Sequence, residues 1–202
     1  FCLEPSDNVI QVGCLGTLHA RVTYRGRAAH SARPWQGDNA IHKAAPLLSH
    51  LAGRVPLAAT VEGHTFHEVL SATLAQGGRT RNVIPDQFEL NLNYRFAPGR
   101  DIQDAVREIR ELAGSADVAV VEAAPSGRVV TNNALLRKFI ERNGNAVAAK
   151  QAWTDVARLT EVGIDAVNLG PGLAAQAHQA GEFAEVSLVA DGYRQFERFL
   201  TA

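Results

Sequence analysis

The chain has 202 residues, 46% of them hydrophobic and 20% charged, with a net charge of −1. That is the length of one large domain or two small ones, and the composition of a globular protein. The near-zero charge offers no field for nucleic acid or an anionic membrane, no apolar run nears the roughly 20 residues of a bilayer span, and no signal-peptide pattern opens the chain. The two cysteines, Cys2 and Cys14, lack CxxC spacing and read as reduced, buried thiols of a cytoplasmic protein. There is no methionine, and "FCLEP" reads as a strand already under way. The chain is therefore expected to be the C-terminal portion of a longer polypeptide.

Residues 14 to 25, "CLGTLHARVTYR", alternate as a half-buried strand, and "GRAAHSARPWQG" follows as a turn-rich loop. Asp38 is the expected N-cap of a helix of about 14 residues, in which Pro46 should force a kink or break. Two period-two stretches, 65 to 76 and 87 to 97, predict strands. The second sets Phe88, Leu90, Leu92, Tyr94 and Phe96 on one face and Asn91, Asn93 and Arg95 on the other. "PGRDIQDAVREIRELAG" predicts an amphipathic helix with Ile102, Ala105, Val106, Ile109 and Leu112 inward, and "DVAVVEAA" a closing strand. Arg100, Arg107 and Arg110 read as its solvated face, and His19, His42, His50, His64 and His67 as surface or helix-face residues. The order β-α-β-β-α-β over residues 14 to 125 is that of a ferredoxin-like α+β unit. Its free sheet face or edge calls for a partner subunit.

From residue 126 helix and strand alternate: "NNALLRKFIERNG" helical, "AVAAKQAW" a strand, "DVARLTEVG" helical, "DAVNLG" a strand, and "AEVSLVADGYRQFERFLTA" a final helix. That pattern predicts a mostly parallel sheet carrying helices. Residues 1 to 13 are expected to join it. An α/β domain of residues 1–13 and 126–202 would then be interrupted by the 14–125 unit, with hinges near 13 and 125.

Ligands of open α/β sheets gather at the carboxyl ends of strands. Glu4 closes the opening strand, and His178 follows "DAVNLG" and a Gly-Pro-Gly turn. A carboxylate and an imidazole suit zinc, yet spacing alone favours a surface carboxylate and a hydrogen-bonded loop histidine. Thr154 or Asp155 can cap a helix start, while Arg158 can equally point at the rim, where its fork fits a carboxylate. His30 and Asn82 lie on loops and Arg95 on a strand's polar face; each is an oxyanion binder or a solvated side chain. There is no GxGxxG after a strand, no P-loop, no GxSxG elbow and no HExxH.

Taken in order, "LEPS", "GRAAHSARPWQGDNAIHKAA", "GGRTRNVIPDQFELNLNYRFAPG", "WTDVAR" and "GPG…AHQAGE" resemble the two-zinc amidohydrolase and peptidase family, with the desuccinylase branch the nearest likeness. The resemblance covers the whole chain. It implies part of a zinc-peptidase-like α/β catalytic domain with an inserted ferredoxin-like lid and dimerisation domain. It also implies two zinc ions per full-length active site, or cobalt in their place. On this likeness Glu4 holds one metal and His178 the other, and His30 reaches across a homodimer to stabilise the oxyanion. Asn82, Arg95, Thr154, Arg158 and Gly172 lie by the carboxylates of an N-acyl amino acid. The implied reaction is hydrolysis of N-succinyl-diaminopimelate in lysine biosynthesis. Acetylornithine deacetylase, aminoacylase or dipeptidase activity is the alternative within the family, and a non-catalytic dimerising fragment the alternative outside it. The family's His-x-Asp pair, bridging Asp and adjacent Glu-Glu do not occur here, so these residues alone are expected to be inactive. Gly181 also stands where Asp or Asn is usual before Glu182.

Overall fold

The computed structural model describes residues 1–176 and 179–201. The strands are β1 (Ile10–Val12), β2 (Gly16–Arg25), β3 (Ala29–His30), β4 (Leu57–Val61), β5 (His64–Gly77), β6 (Val83–Ile84), β7 (Gln87–Phe96), β8 (Asp117–Ala124), β9 (Val147–Ala149) and β10 (Val167–Asn168). The α-helices are α1 (Ala40–Lys43), α2 (Ala45–Gly53), α3 (Ile102–Ala113), α4 (Ala134–Asn143), α5 (Val156–Glu161) and α6 (Val186–Leu200).

Five strands form one antiparallel sheet in the order β4-β5-β7-β2-β8. Within it, β2, β5, β7 and β8 with the intervening helices follow the expected β-α-β-β-α-β course. β4 is additional. It pairs with β5 through Glu62 and Gly63, both at positive φ (49° and 79°), the primed-turn geometry that matches strand twist. The alternation of β2 and β7 works as read: Leu18, Ala20, Val22 and Tyr24 pack with Phe88, Leu90, Leu92 and Tyr94 beneath α1, α2 and α3. Side chains of this size each contribute about 1.5–3 kcal/mol on full burial. The opposite sheet face carries the polar residues and no helix.

The first helical stretch departs from expectation in its cap. Asn39, not Asp38, caps α1, its Oδ1 accepting from Ile41 N and His42 N. Asp38 instead pairs with Lys43 and exchanges backbone hydrogen bonds with Arg27. The predicted break occurs at Ala44, and Pro46 occupies the first turn of α2, where its missing N–H costs nothing. His30, placed in a turn-rich loop by the sequence, lies in β3. That strand pairs with β6 as a separate two-stranded ribbon.

The second sheet has three strands in the order β10-β1-β9. It is mixed rather than mostly parallel: β1 runs parallel to β9 and antiparallel to β10. Residues 150–166, which include α5, join β9 to β10, and the chain returns along β1 in the direction opposite to β9. The opening segment contributes only a single bridge, Cys2 to Asn168. Ile10, Val12, Phe139, Val167 and Leu169 form this layer's core, with Phe196 and Phe199 of α6 against Phe139.

The long strand β5 serves both layers. Phe66 lies in the second core and Leu70 in the first. The Gln151 side chain clasps its start, accepting from His67 N at 3.0 Å and donating to Thr65 O at 3.0 Å. Arg100, expected on a solvated face, is half-buried. It donates to both oxygens of buried Glu68 at 2.9 and 2.7 Å and lies 3.3 Å from Glu108. The carboxylate supplied by β5 draws the guanidinium inward, and a carboxylate cannot be buried without such a partner.

Candidate functional site

The residues singled out in the sequence fall into three groups. The first is a rim where the opening segment meets the turn after β10. Gly170 O accepts from Ser6 N at 3.2 Å and Asn8 N at 3.0 Å, Gly172 O accepts from Asp7 N at 2.8 Å, and the Ser6 hydroxyl reaches Gly170 at 3.1–3.3 Å. Glu4, half-buried, therefore sits against Gly170–Gly172. Gly172 has a φ of +91°, which only glycine adopts without strain. A Cβ on Gly170 would lie 2.7 Å from Glu4 O and 3.0 Å from the Leu3 carbonyl carbon. Gly170→Ala is expected to cost about 1–3 kcal/mol through that overlap, read by thermal unfolding. Wild-type stability would mean that the rim gives way.

His178, six residues beyond Gly172, lies outside the described residues. Among the described residues no group of three or more His, Cys, Asp or Glu side chains could hold a metal ion. Glu4 fits a metal in kind, as one oxygen donor, and further ligands are needed to close a site.

Lys150, which the sequence reading passed over, is buried at the same rim, its Nζ 3.5 Å from Pro5 O. Burial pushes its ammonium below the usual lysine range, and the charge of Glu4 partly offsets this. Burial, helped by Asp155 and Glu4, raises the Cys2 thiol. Cys2 and Cys14 are both free, Cys14 buried and Cys2 only half so.

Thr154 precedes α5, buried, with an Oγ1 that has no hydrogen-bond partner among the described residues; its carbonyl accepts from Ala157 N at 3.0 Å. Asp155 is the N-cap residue of α5 by position but makes no side-chain cap. Arg158 is exposed, its guanidinium 5.7 Å from the Trp153 ring centroid and 3.5 Å from Glu161. A cleft of about 620 Å³ lies at the other end of β10, lined by Glu62, Arg128 and Asp165. There Arg128 is already paired with Asp165 at 2.7 Å.

The second group is the exposed ribbon. β3 and β6 set His30 opposite Val83, and Ser31 N donates to Asn82 O at 2.9 Å, so His30 and Asn82 are neighbours. His30 Nδ1 accepts from Ala32 N at 3.1 Å. A neutral imidazole that accepts at Nδ1 carries its proton on Nε2, so the outer nitrogen is a donor. The third group is Arg95, half-buried on the helix-free face of β7. Its Nε donates to Asn93 Oδ1 at 3.0 Å. Burial lowers its pKa and the charge of Glu122 partly restores it.

Residues 12–120, over half of the chain, match the M20 peptidase dimerisation domain. The chain belongs to the M20 peptidase family. It is 36% identical over 204 residues to the succinyl-diaminopimelate desuccinylase of Corynebacterium glutamicum, covering 98% of this chain and 55% of that protein. A Mycobacterium tuberculosis protein provisionally given the same name is 37% identical, at 98% and 56% coverage. Solved structures with the same fold include a tripeptidase from Staphylococcus aureus, with a TM-score of 0.79 at 20% identity over 98% of this chain and 54% of that one. Another is an M20 metallo-carboxypeptidase from Sulfolobus solfataricus, with a TM-score of 0.73 at 16% identity, over 99% and 61%. The M20 chain described here spans about half the length of the curated relatives it matches. As an M20 member it is of a hydrolase family that is generally metal-dependent. None of its described helices is long and apolar enough to cross a membrane.

Proposed function

We propose that the full-length protein is a cytoplasmic N-acyl amide hydrolase whose substrate is N-succinyl-diaminopimelate, releasing succinate and diaminopimelate. Water adds to the acyl carbonyl, the C–N bond breaks, and the amine leaves with a proton. The observation that best supports this reading is the hydrogen bond that Ala32 N donates to His30 Nδ1, which holds an exposed ring with Nε2 outward, suited to meet an oxyanion without reorganising.

Residues 14–125 act in this reading as the lid and dimerisation unit, and residues 1–13 and 126–202 as part of the catalytic layer. His30 and Asn82 serve the partner's site in a homodimer. The edge strand β8, with Val120 and Val121 exposed, is suited to such an assembly. Arg95, with Asn82, Thr154, Arg158 and Gly172, receives the substrate's carboxylates. Glu4 and His178 would each hold one of two zinc ions. Zinc bound there supplies an acidified water; orientation and charge complementarity fall to the residues named.

A panel of N-acyl amino acids tests the assignment. N-succinyl-diaminopimelate is expected to show a kcat/KM at least 100-fold above that of N-acetylornithine with the full-length protein. The reverse order would make it a deacetylase, the activity in the name of a 31%-identical Myxococcus xanthus relative.

A further inference from the structure

A row of polar side chains crosses the helix-free sheet face: Thr73 on β5, Asn91 on β7, His19 on β2, then Asn93 and Arg95 on β7. Asn91 Nδ2 is 2.6 Å from Thr73 Oγ1 and 3.3 Å from His19 Nδ1, and Asn93 Nδ2 is 3.1 Å from His19 Nε2. His19, expected at the surface, is thus half-buried between two amides.

Chemistry orders these contacts. A guanidinium only donates, so Asn93 must turn its oxygen to Arg95 Nε and its NH2 to His19. His19 Nε2 therefore accepts, and the ring proton sits on Nδ1. That N–H needs an acceptor. The Asn91 amide, whose two ends have the same shape, satisfies it by presenting its oxygen to Nδ1, where it also accepts the Thr73 hydroxyl proton.

We infer that His19 is a positioning residue that holds Arg95 ready for a substrate carboxylate through Asn93. With Nε engaged, both terminal amino groups of Arg95 are left for a bidentate partner; Nε makes its one side-chain hydrogen bond among the described residues. Thr17, directly across from Arg95 on β2, is buried, and its hydroxyl has no hydrogen-bond partner among the described residues.

The inference rests on the proposal that Arg95 binds substrate, and the full-length enzyme separates the two. Arg95→Ala is expected to raise KM at least tenfold. His19→Ala should raise KM about fivefold with kcat within twofold, and the double variant should be no worse than Arg95→Ala. His19→Gln, which can accept from Asn93 and donate to Asn91, should restore KM. A wild-type KM in His19→Ala, with Arg95→Ala impaired, overturns the inference. If Arg95→Ala leaves KM unchanged, the substrate role of Arg95 falls, and the Arg95 Nε–H resonance then decides. A resonance shifted in His19→Ala and restored in His19→Gln upholds the positioning role. An unshifted resonance, or one that His19→Gln fails to restore, rejects it. Should His19→Ala not fold, His19→Leu, which fills the space without hydrogen bonds, carries the test: a wild-type KM rejects the role.

Discussion

Glu68→Ala is expected to destabilise the protein by about 3–5 kcal/mol, the loss found when one partner of a buried ion pair is removed. At roughly 2–4 °C per kcal/mol for a chain of this size, the midpoint of thermal unfolding should fall by about 6–20 °C. Glu68 is 4% exposed and accepts from Arg100 twice and from Ala97 N at 2.9 Å. Removing it strands both the guanidinium and a buried backbone donor. Tyr94, fully buried, points its hydroxyl at Glu108 at 2.7 Å and Glu68 at 3.1 Å, and a single proton serves the shorter contact. Burial first, then the Glu108 hydrogen bond, holds that phenol well above its usual range. Arg54, 2.7 Å from Glu108, closes the network from the end of α2. A midpoint within two degrees of wild type would mean that the cluster adds nothing.

The same network sets an acid limit. Burial pushes the Glu108 carboxyl up, but the Tyr94 and Arg54 hydrogen bonds and the charges of Arg54 and Arg100 more than offset it, leaving the pKa below the ordinary carboxylate value. A group depressed on folding stabilises the protein above its unfolded pKa. That stabilisation is lost as pH falls through the lower, folded value.

His30→Ala in the full-length enzyme is expected to lower kcat by about 10²–10³-fold, the effect of deleting one oxyanion donor, with metal content unaltered. The argument is geometric. The Ala32 N–H fixes the ring from one side, so the other nitrogen keeps its proton and its direction through the reaction. His30 makes no core contact, and its removal should leave the melting temperature within a degree or two. Loss of metal instead of rate would reassign His30 to a ligand role. An unchanged kcat would remove it from the site.

How much of this was legible in the sequence depended on whether the signal was local. The alternation of residues 87–96 and the amphipathic α3 were read correctly because one buried face imposes a strict period. β4 was missed because "LAATV" alternates weakly and is mostly exposed; the Glu62-Gly63 turn was the available clue. Asp38 and Asn39 are adjacent and equally good caps by composition, so the choice depended on Arg27, which engages Asp38 from the preceding loop. The role of Arg100 was hidden for a related reason: its partner Glu68 is 32 residues away, on β5, and nothing local links the two. Glu4 meets the Gly170–Gly172 turn without the strand expected to end at it, since the opening segment forms a bridge at Cys2 and no strand, and Lys150 and the His19 row depend on cross-strand register that no local pattern encodes.

The dual membership of β5 has a mechanical consequence. Two chain crossings, near Gly13 and Pro125, would by themselves make a compliant joint between the layers. A continuous extended strand, fixed by Phe66 at one end and Glu68 and Leu70 just beyond, adds a stiff third beam across it. Any swing of one layer against the other must then twist that single backbone.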